Sequence, residues 1–245
     1  MADVIDDLEA EQEALAAVLT GLAGADWDRA SAASGWTVAD VVLHLAQTEE
    51  AVAASAGGDS RALDWRRFGP TVDAAMGAMV RAEAGPGPEI LARWQAARRE
   101  SVRALRAADP RRPLRWVTAS LKPRTLATTR LAEHWAHALD IVGPLRIDYP
   151  DTDRLRHVAW LGFSTLPYAF HLAGRPEVSV FCDLRGPGGA RWTFGDPRSE
   201  SGIAGAAGAF CRVGAQRLAP GASGLQTRGP HGAEALRLLR NYAVV

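Results

Sequence analysis

Cysteine, lysine and net charge are what this sequence has least of. Its two cysteines, Cys182 and Cys211, are too few for a disulfide framework or a zinc–thiolate cluster, and both sit among apolar neighbours as buried thiols do. Lys122 is the only lysine, so every other basic residue is an arginine. With 28 basic and 28 acidic residues the formal net charge is zero. The basic excess or stripe of a nucleic-acid binder is therefore missing. No apolar run approaches the roughly 20 residues that cross a bilayer. The first residues, Met-Ala-Asp-Val-Ile-Asp-Asp-Leu-Glu, are acidic and lack the charged-then-apolar order of a signal peptide. The expectation is a cytoplasmic protein with small-molecule partners, binding neither nucleic acid nor membrane.

What remains is an ordinary globular composition, 47% hydrophobic and 23% charged over 245 residues, enough for one large domain or two smaller ones. The first two-thirds reads as helices separated by firm breaks. Residues 3–23 carry Val4, Leu8, Leu15, Val18 and Leu22 at helical spacing. Glu11 interrupts that stripe, and a buried face on Ile5, Leu8, Leu15 and Leu19 accommodates it. Thr37-Val-Ala-Asp40 is a capping box, with Trp36 before it placed to staple onto Val41. The helix it opens runs towards Ala56 through Val38, Val41, Val42, Leu45 and Ala46, with His44 inside the apolar set. A helix is expected from Thr71 to Glu83, within a segment, 57–85, that otherwise lacks a motif. Another starts at Pro88, which suits a first helical position, and runs to about Ala108. After an extended connector at 112–117, a helix over Thr125–Val142 is expected to close at Gly143-Pro144. A further helix spans Arg154 to about Phe170, with His157 exposed and His171 at its C-terminal end.

After Gly174 the period changes to two. Val178–Leu184 and Ala190–Phe194 flank the glycine-rich Gly186-Pro-Gly-Gly189, a hairpin pattern. Ile203–Leu218 reads as a helix, Gly224–Arg228 as a strand and Gly232–Tyr242 as a last helix. The fold class is α+β, with a helical bundle over residues 1–174 followed by a small ββαβα domain over 175–245.

One stretch concentrates the chemistry: Arg130-Leu-Ala-Glu133-His134-Trp-Ala-His137-Ala-Leu-Asp140. Glu133 and His137 stand one turn apart on one helix face, so a carboxylate and an imidazole can both reach one divalent ion. Arg130 and Asp140 extend the stripe. His134 points roughly 100° away from Glu133 and reads as a packing residue. Bundles commonly build metal sites from facing helices, and His44 on a neighbouring helix supplies a third ligand. Three protein ligands leave a position for water or substrate, the catalytic arrangement of zinc; the same donors also suit iron, nickel or manganese. Without a metal, Glu133–His137 is a surface pair of the kind worth a few tenths of a kcal/mol.

Gly35-Trp-Thr-Val-Ala-Asp40-Val-Val-Leu-His44-Leu resembles the helix carrying the first metal histidine in the DinB-like superfamily. More closely, it resembles the N-terminal domain of mycothiol-dependent maleylpyruvate isomerases. Leu126–Asp140 resembles the second metal helix of that family. Trp192-Thr-Phe-Gly195 and Phe210-Cys-Arg-Val-Gly-Ala-Gln-Arg217 are similar to its C-terminal domain. The likeness is especially close to an actinobacterial branch of metal-binding proteins related to mycothiol S-transferases of antibiotic pathways. It implies a DinB-like four-helix bundle, a metal held by His44, Glu133 and His137, Zn2+ as that metal, and mycothiol as thiol cosubstrate. Arg217 is the best match to an arginine important in the isomerases.

The implied chemistry is attack of a metal-stabilised thiolate on an electrophilic carbon, as S-transferase or cis–trans isomerase. Asp140 would orient the His137 imidazole. Arg217 would hold a substrate carboxylate, and Arg130 would pair with Asp140 or Glu133 or meet an anionic substrate. Substrate choice would lie in 57–85. Two alternatives stay open: a thiol-independent metal hydrolase or lyase using water of lowered pKa, and a non-catalytic bundle that binds a metal or small molecule.

Overall fold

The computed structural model describes residues 3–59, 64–117 and 119–242. They group into two compact units divided between Tyr149 and Pro150. In the first, helix α1 (Val4–Thr20) begins at Asp3, whose carboxylate accepts the Ile5 N–H. Helices α2 (Val38–Ala56), α3 (Val72–Ala82), α4 (Gly87–Ala107) and α5 (Pro123–Leu145) follow, with strands β1 (Leu114–Arg115) and β2 (Ser120–Leu121) pairing just before α5. The long helices α1, α2, α4 and α5 form a four-helix bundle in which α2 packs along α4 and α1 against α5 and α4. Leu15, Leu19, Val41, Val42, Leu45, Ile90, Trp94 and Ile141 fill its core. On α1 the inward face is Ile5, Leu8, Leu15 and Leu19, and Glu11 is buried with them. The Tyr149 hydroxyl donates to it at 2.7 Å.

The start of α2 is fully satisfied, which fixes where His44 falls. Thr37 Oγ1 accepts from Asp40 N, and Asp40 Oδ2 accepts from Thr37 N and Oγ1. The next two orphan amides go to the connector: Val38 N donates to Arg29 O and Ala39 N to Trp27 O. At the other end of the bundle, Gln47 donates to Met79 O and Glu83, while Arg93 bridges Glu50 and Glu83. This cluster ties the end of α3 to α2 and α4. Within 57–85, Trp65 is buried and donates to Val117 O; Ser60–Leu63 lie outside the described residues.

Two expectations about helix ends change. Helix α5 does not close at Gly143-Pro144 but runs through both to Leu145, ending at Arg146 in the left-handed conformation (φ 57°). Pro144 removes one amide from the ladder, and its would-be acceptor, the Asp140 carbonyl, receives Ala32 N from the connector at 2.8 Å instead. The single helix expected from Arg154 to Phe170 is two, α6 (Leu155–Ser164) and α7 (Leu166–Leu172), with Pro167 in the first turn of α7. His157 is buried rather than exposed, because α6 turns the face holding His157 and Leu161 inward. Both helices group with the second unit, so the division lies ahead of the change of texture after Gly174.

The second unit holds a four-stranded sheet in the order β4-β3-β5-β6: β3 (Val180–Arg185), β4 (Arg191–Phe194), β5 (Ser201–Ala206) and β6 (Gln226–Arg228). The β3–β4 hairpin is antiparallel, β3 and β5 run parallel, and β6 pairs antiparallel with β5. Helices α8 (Ala207–Gly214) and α9 (Gly229–Leu238) pack on the sheet. The helix expected over Ile203–Leu218 is overturned in its first turn, since Ser201–Ala206 is an inner strand with Ile203 facing the core. Hydrogen bonding on both sides there overrides the helical preference of an alanine-rich run.

The capping box yields a quantitative expectation. Thr37→Ala should lower stability by about 1 kcal/mol in urea unfolding, with the m-value unchanged; a loss under about 0.3 kcal/mol would mean the connector amides alone hold the α2 start.

Candidate functional site

His44, in the second turn of α2, meets α5 where Glu133 and His137 face it. One ligand atom from each of the three lies within 4.8 Å of the others. His44 Nε2 stands 3.7 Å and His137 Nε2 3.4 Å from the same oxygen, Glu133 Oε2. The imidazoles meet edge to face, centroids 5.2 Å apart. His44 and His137 are largely covered, while the Glu133 side chain keeps 29% exposure, so the cluster opens on the carboxylate side. Asp140, one turn beyond His137 and buried, places Oδ2 3.0 Å from His137 Nδ1. That contact puts the ring proton on Nδ1 and turns the Nε2 lone pair to the cluster.

The charges follow from these contacts. Burial pushes the Glu133 carboxyl up, but the two imidazoles outweigh it and hold it well below the usual carboxylate range. Burial holds His44 below the ordinary histidine value, and Glu133 offsets this only in part. For His137 burial also opposes charge, yet Asp140 and Glu133 together raise it. The site therefore presents an anionic carboxylate between a neutral and a more basic imidazole. The protein's own thiols are no nucleophiles: burial drives Cys182 up to about 12 and Cys211 upward as well.

Other residues of the stripe go elsewhere. Arg130 pairs with neither Glu133 nor Asp140. Its Nε donates to Glu49 Oε1 and its Nη2 to Thr48 Oγ1, each at 2.7 Å, and it is 2% exposed. Such a guanidinium positions helices rather than meeting a substrate. Glu49 is fully buried and also accepts from Ser101; burial opposes its charge, but Arg130 keeps it ionised. His134 packs inside the bundle. Its Nδ1–H donates to Arg130 O at 2.8 Å, leaving Nε2 to accept from Trp94 Nε1 at 3.3 Å, and burial lowers its pKa to about 4. Arg217 follows α8 in the second unit, where its Nη1 donates to Ala215 O at 2.8 Å.

Residues 8–142 match the family model described as the mycothiol maleylpyruvate isomerase N-terminal domain. The chain belongs to the mycothiol maleylpyruvate isomerase family. Among its relatives are two uncharacterized proteins of Mycobacterium tuberculosis, from strains H37Rv and CDC 1551, each 31% identical over 220 residues. The alignment covers 88% of this chain and 85% of each relative. Of solved structures, the crystal structure of the mycothiol-dependent maleylpyruvate isomerase superposes with a TM-score of 0.61 at 15% identity, covering 91% of both chains. A histidine-to-alanine mutant of that enzyme gives 0.60 at 14% identity over the same shares. At such identity the likeness is one of fold, the same α+β arrangement. All three cluster residues fall inside residues 8–142.

Two residues of the site went unread in the sequence. Glu49 falls on the buried stripe Val42-Leu45-Glu49-Val52, so its helical spacing was a readable signal of a buried charge needing a partner. Trp36, which the sequence places as a staple, also sets its ring against both imidazoles, tilted to His44 with centroids 5.1 Å apart and stacked on His137 at 6.3 Å; no local pattern encodes that.

Removing one member of the buried ion pair strands the other. Arg130→Met should cost about 3–5 kcal/mol in chemical unfolding, and Arg130→Met with Glu49→Met should recover most of it. Equal losses in the single and double variants would show that packing, not the charge pair, matters there.

Proposed function

We propose that the protein is a metal-dependent enzyme that uses mycothiol as thiol cosubstrate, acting as an S-transferase or cis–trans isomerase on a small electrophile. The observation that carries this reading is the convergence of His44 Nε2, His137 Nε2 and Glu133 Oε2 within the span matched by the family model. Two of the three donor separations, those from the imidazoles to Glu133, suit a divalent ion. The 3.4 and 3.7 Å separations are too long for strong hydrogen bonds, whereas ligands about 2.0–2.1 Å from a tetrahedral zinc stand roughly 3.3–3.4 Å apart. Two imidazoles and one carboxylate suit Zn2+ and leave a position for an exogenous ligand. A divalent ion held there keeps a coordinating thiol deprotonated at neutral pH.

The chain's residues divide the remaining work. Asp140 holds the proton on His137 Nδ1 and fixes the tautomer whose Nε2 faces the cluster. Glu133 stays anionic and lies on the exposed side, bordering the approach of thiol and electrophile. Arg130, through Glu49 and Thr48, keeps α5 in register with α2. Arg217, by its likeness to the family's arginine, is a guanidinium suited to a carboxylate, and the segment 57–85 sets substrate choice. Mycothiol dependence is favoured over metal-activated water by the family match.

Isothermal titration of mycothiol into zinc-loaded protein checks the thiol directly. Saturable binding that disappears in the metal-free protein is expected; no heat at millimolar thiol, with ester hydrolysis indifferent to thiol, would move the assignment to a hydrolase.

A further inference from the structure

The two imidazoles of the cluster are braced in different ways. A metal-bound histidine ordinarily gives its second ring nitrogen to a carboxylate or carbonyl, and His137 does so with Asp140. His44 does not: its Nδ1 is buried and has no hydrogen-bond partner among the described residues. What touches that ring instead is the Trp36 indole, tilted 52° with centroids 5.1 Å apart, within the range of a favourable aromatic pair.

Trp36 is itself held with unusual care for a connector residue. Its carbonyl accepts from Ser31 N at 2.9 Å and Ser31 Oγ at 2.8 Å, and its N–H donates to Ala33 O. Gly35 before it takes φ +79°, a conformation open to glycine at no steric cost. The same loop is docked on α5 by Ala32 N to the Asp140 carbonyl at 2.8 Å, and Arg29 Nη2 reaches Pro144 O at 3.1 Å. That carbonyl is available because Pro144, four residues on, has no amide to offer it.

We propose that Trp36 is the positioning residue of His44: its indole replaces the hydrogen-bonded partner the imidazole lacks, and its loop is anchored on the carbonyl that Pro144 leaves free. Asp140 thereby braces both histidines, His137 through its carboxylate and His44 through its backbone and the docked loop. The inference rests on the metal reading of the cluster.

The test compares Zn2+ affinity, by competition with a chromogenic chelator, and the visible spectrum of the Co2+-loaded protein. Wild type, Trp36→Leu, Trp36→Phe and Trp27→Leu are measured, the last loosening the same connector from a buried position away from the imidazoles. Trp36→Leu should bind 10–100-fold more weakly, the usual cost of losing a ligand's outer partner, with altered Co2+ bands and a metal-free melting curve still cooperative. Trp36→Phe should stay within about threefold of wild type, since a ring remains. Wild-type affinity and spectrum in Trp36→Leu, or an equal loss in Trp27→Leu, overturns the proposal. Should Trp36→Leu not fold, a folded Trp36→Phe that loses the metal overturns it, and one that keeps it supports it. Failure of the wild type to bind Zn2+ fells the metal reading itself, which the variants alone do not.

Discussion

Helices α2 and α5 carry the three convergent donors between them, so the site exists only while their register holds, and a buried ion pair sets that register. Arg130 and Glu49 are both essentially inaccessible. Sliding either helix by a turn would leave two unpaired charges in an apolar bundle, at several kcal/mol for each. The same pairing recruits Thr48, and the Arg130 carbonyl anchors His134, which reaches Trp94 on α4. A polar spine thus runs through the bundle beneath the cluster. It orders the helices in a way that leucines and valines, which tolerate sliding, do not.

The connector ahead of α2 supplies the second constraint. Its carbonyls cap the first amides of α2, and its own amide at Ala32 is taken by α5. One loop is therefore bonded to the start of one helix of the cluster and the end of the other. A proline that would normally stop α5 instead lets the helix continue and exposes the acceptor that the loop needs.

What could be read from the sequence was local. The Thr37–Asp40 box, the helical spacing of Glu133, His137 and Asp140, and the β3–β4 hairpin each depend on residues within a few positions of one another. What could not be read depended on distant partners. Nothing near Ile203 says that β3 and β6 will flank it, and nothing near Pro144 announces that Ala32 will take up the freed carbonyl. Arg130 is legible as a charged member of its stripe and Glu49 as a charge on a buried one, but nothing local pairs the two across eighty-one residues. The resemblance to the isomerase family carried the ligand set further than spacing alone, because Glu-x-x-x-His recurs on many helices. The helix over Ile203–Leu218 failed for the converse reason: composition favoured it and pairing did not.

The central claim is that His44, Glu133 and His137 hold one divalent ion. Equilibrium dialysis of the metal-free protein against Zn2+, followed by elemental analysis, measures it without assuming a substrate. The account predicts one ion per chain in the wild type and none retained in Glu133→Ala after the same washing. A wild type that retains no zinc, or a Glu133→Ala protein that retains one ion as firmly as wild type, would contradict it.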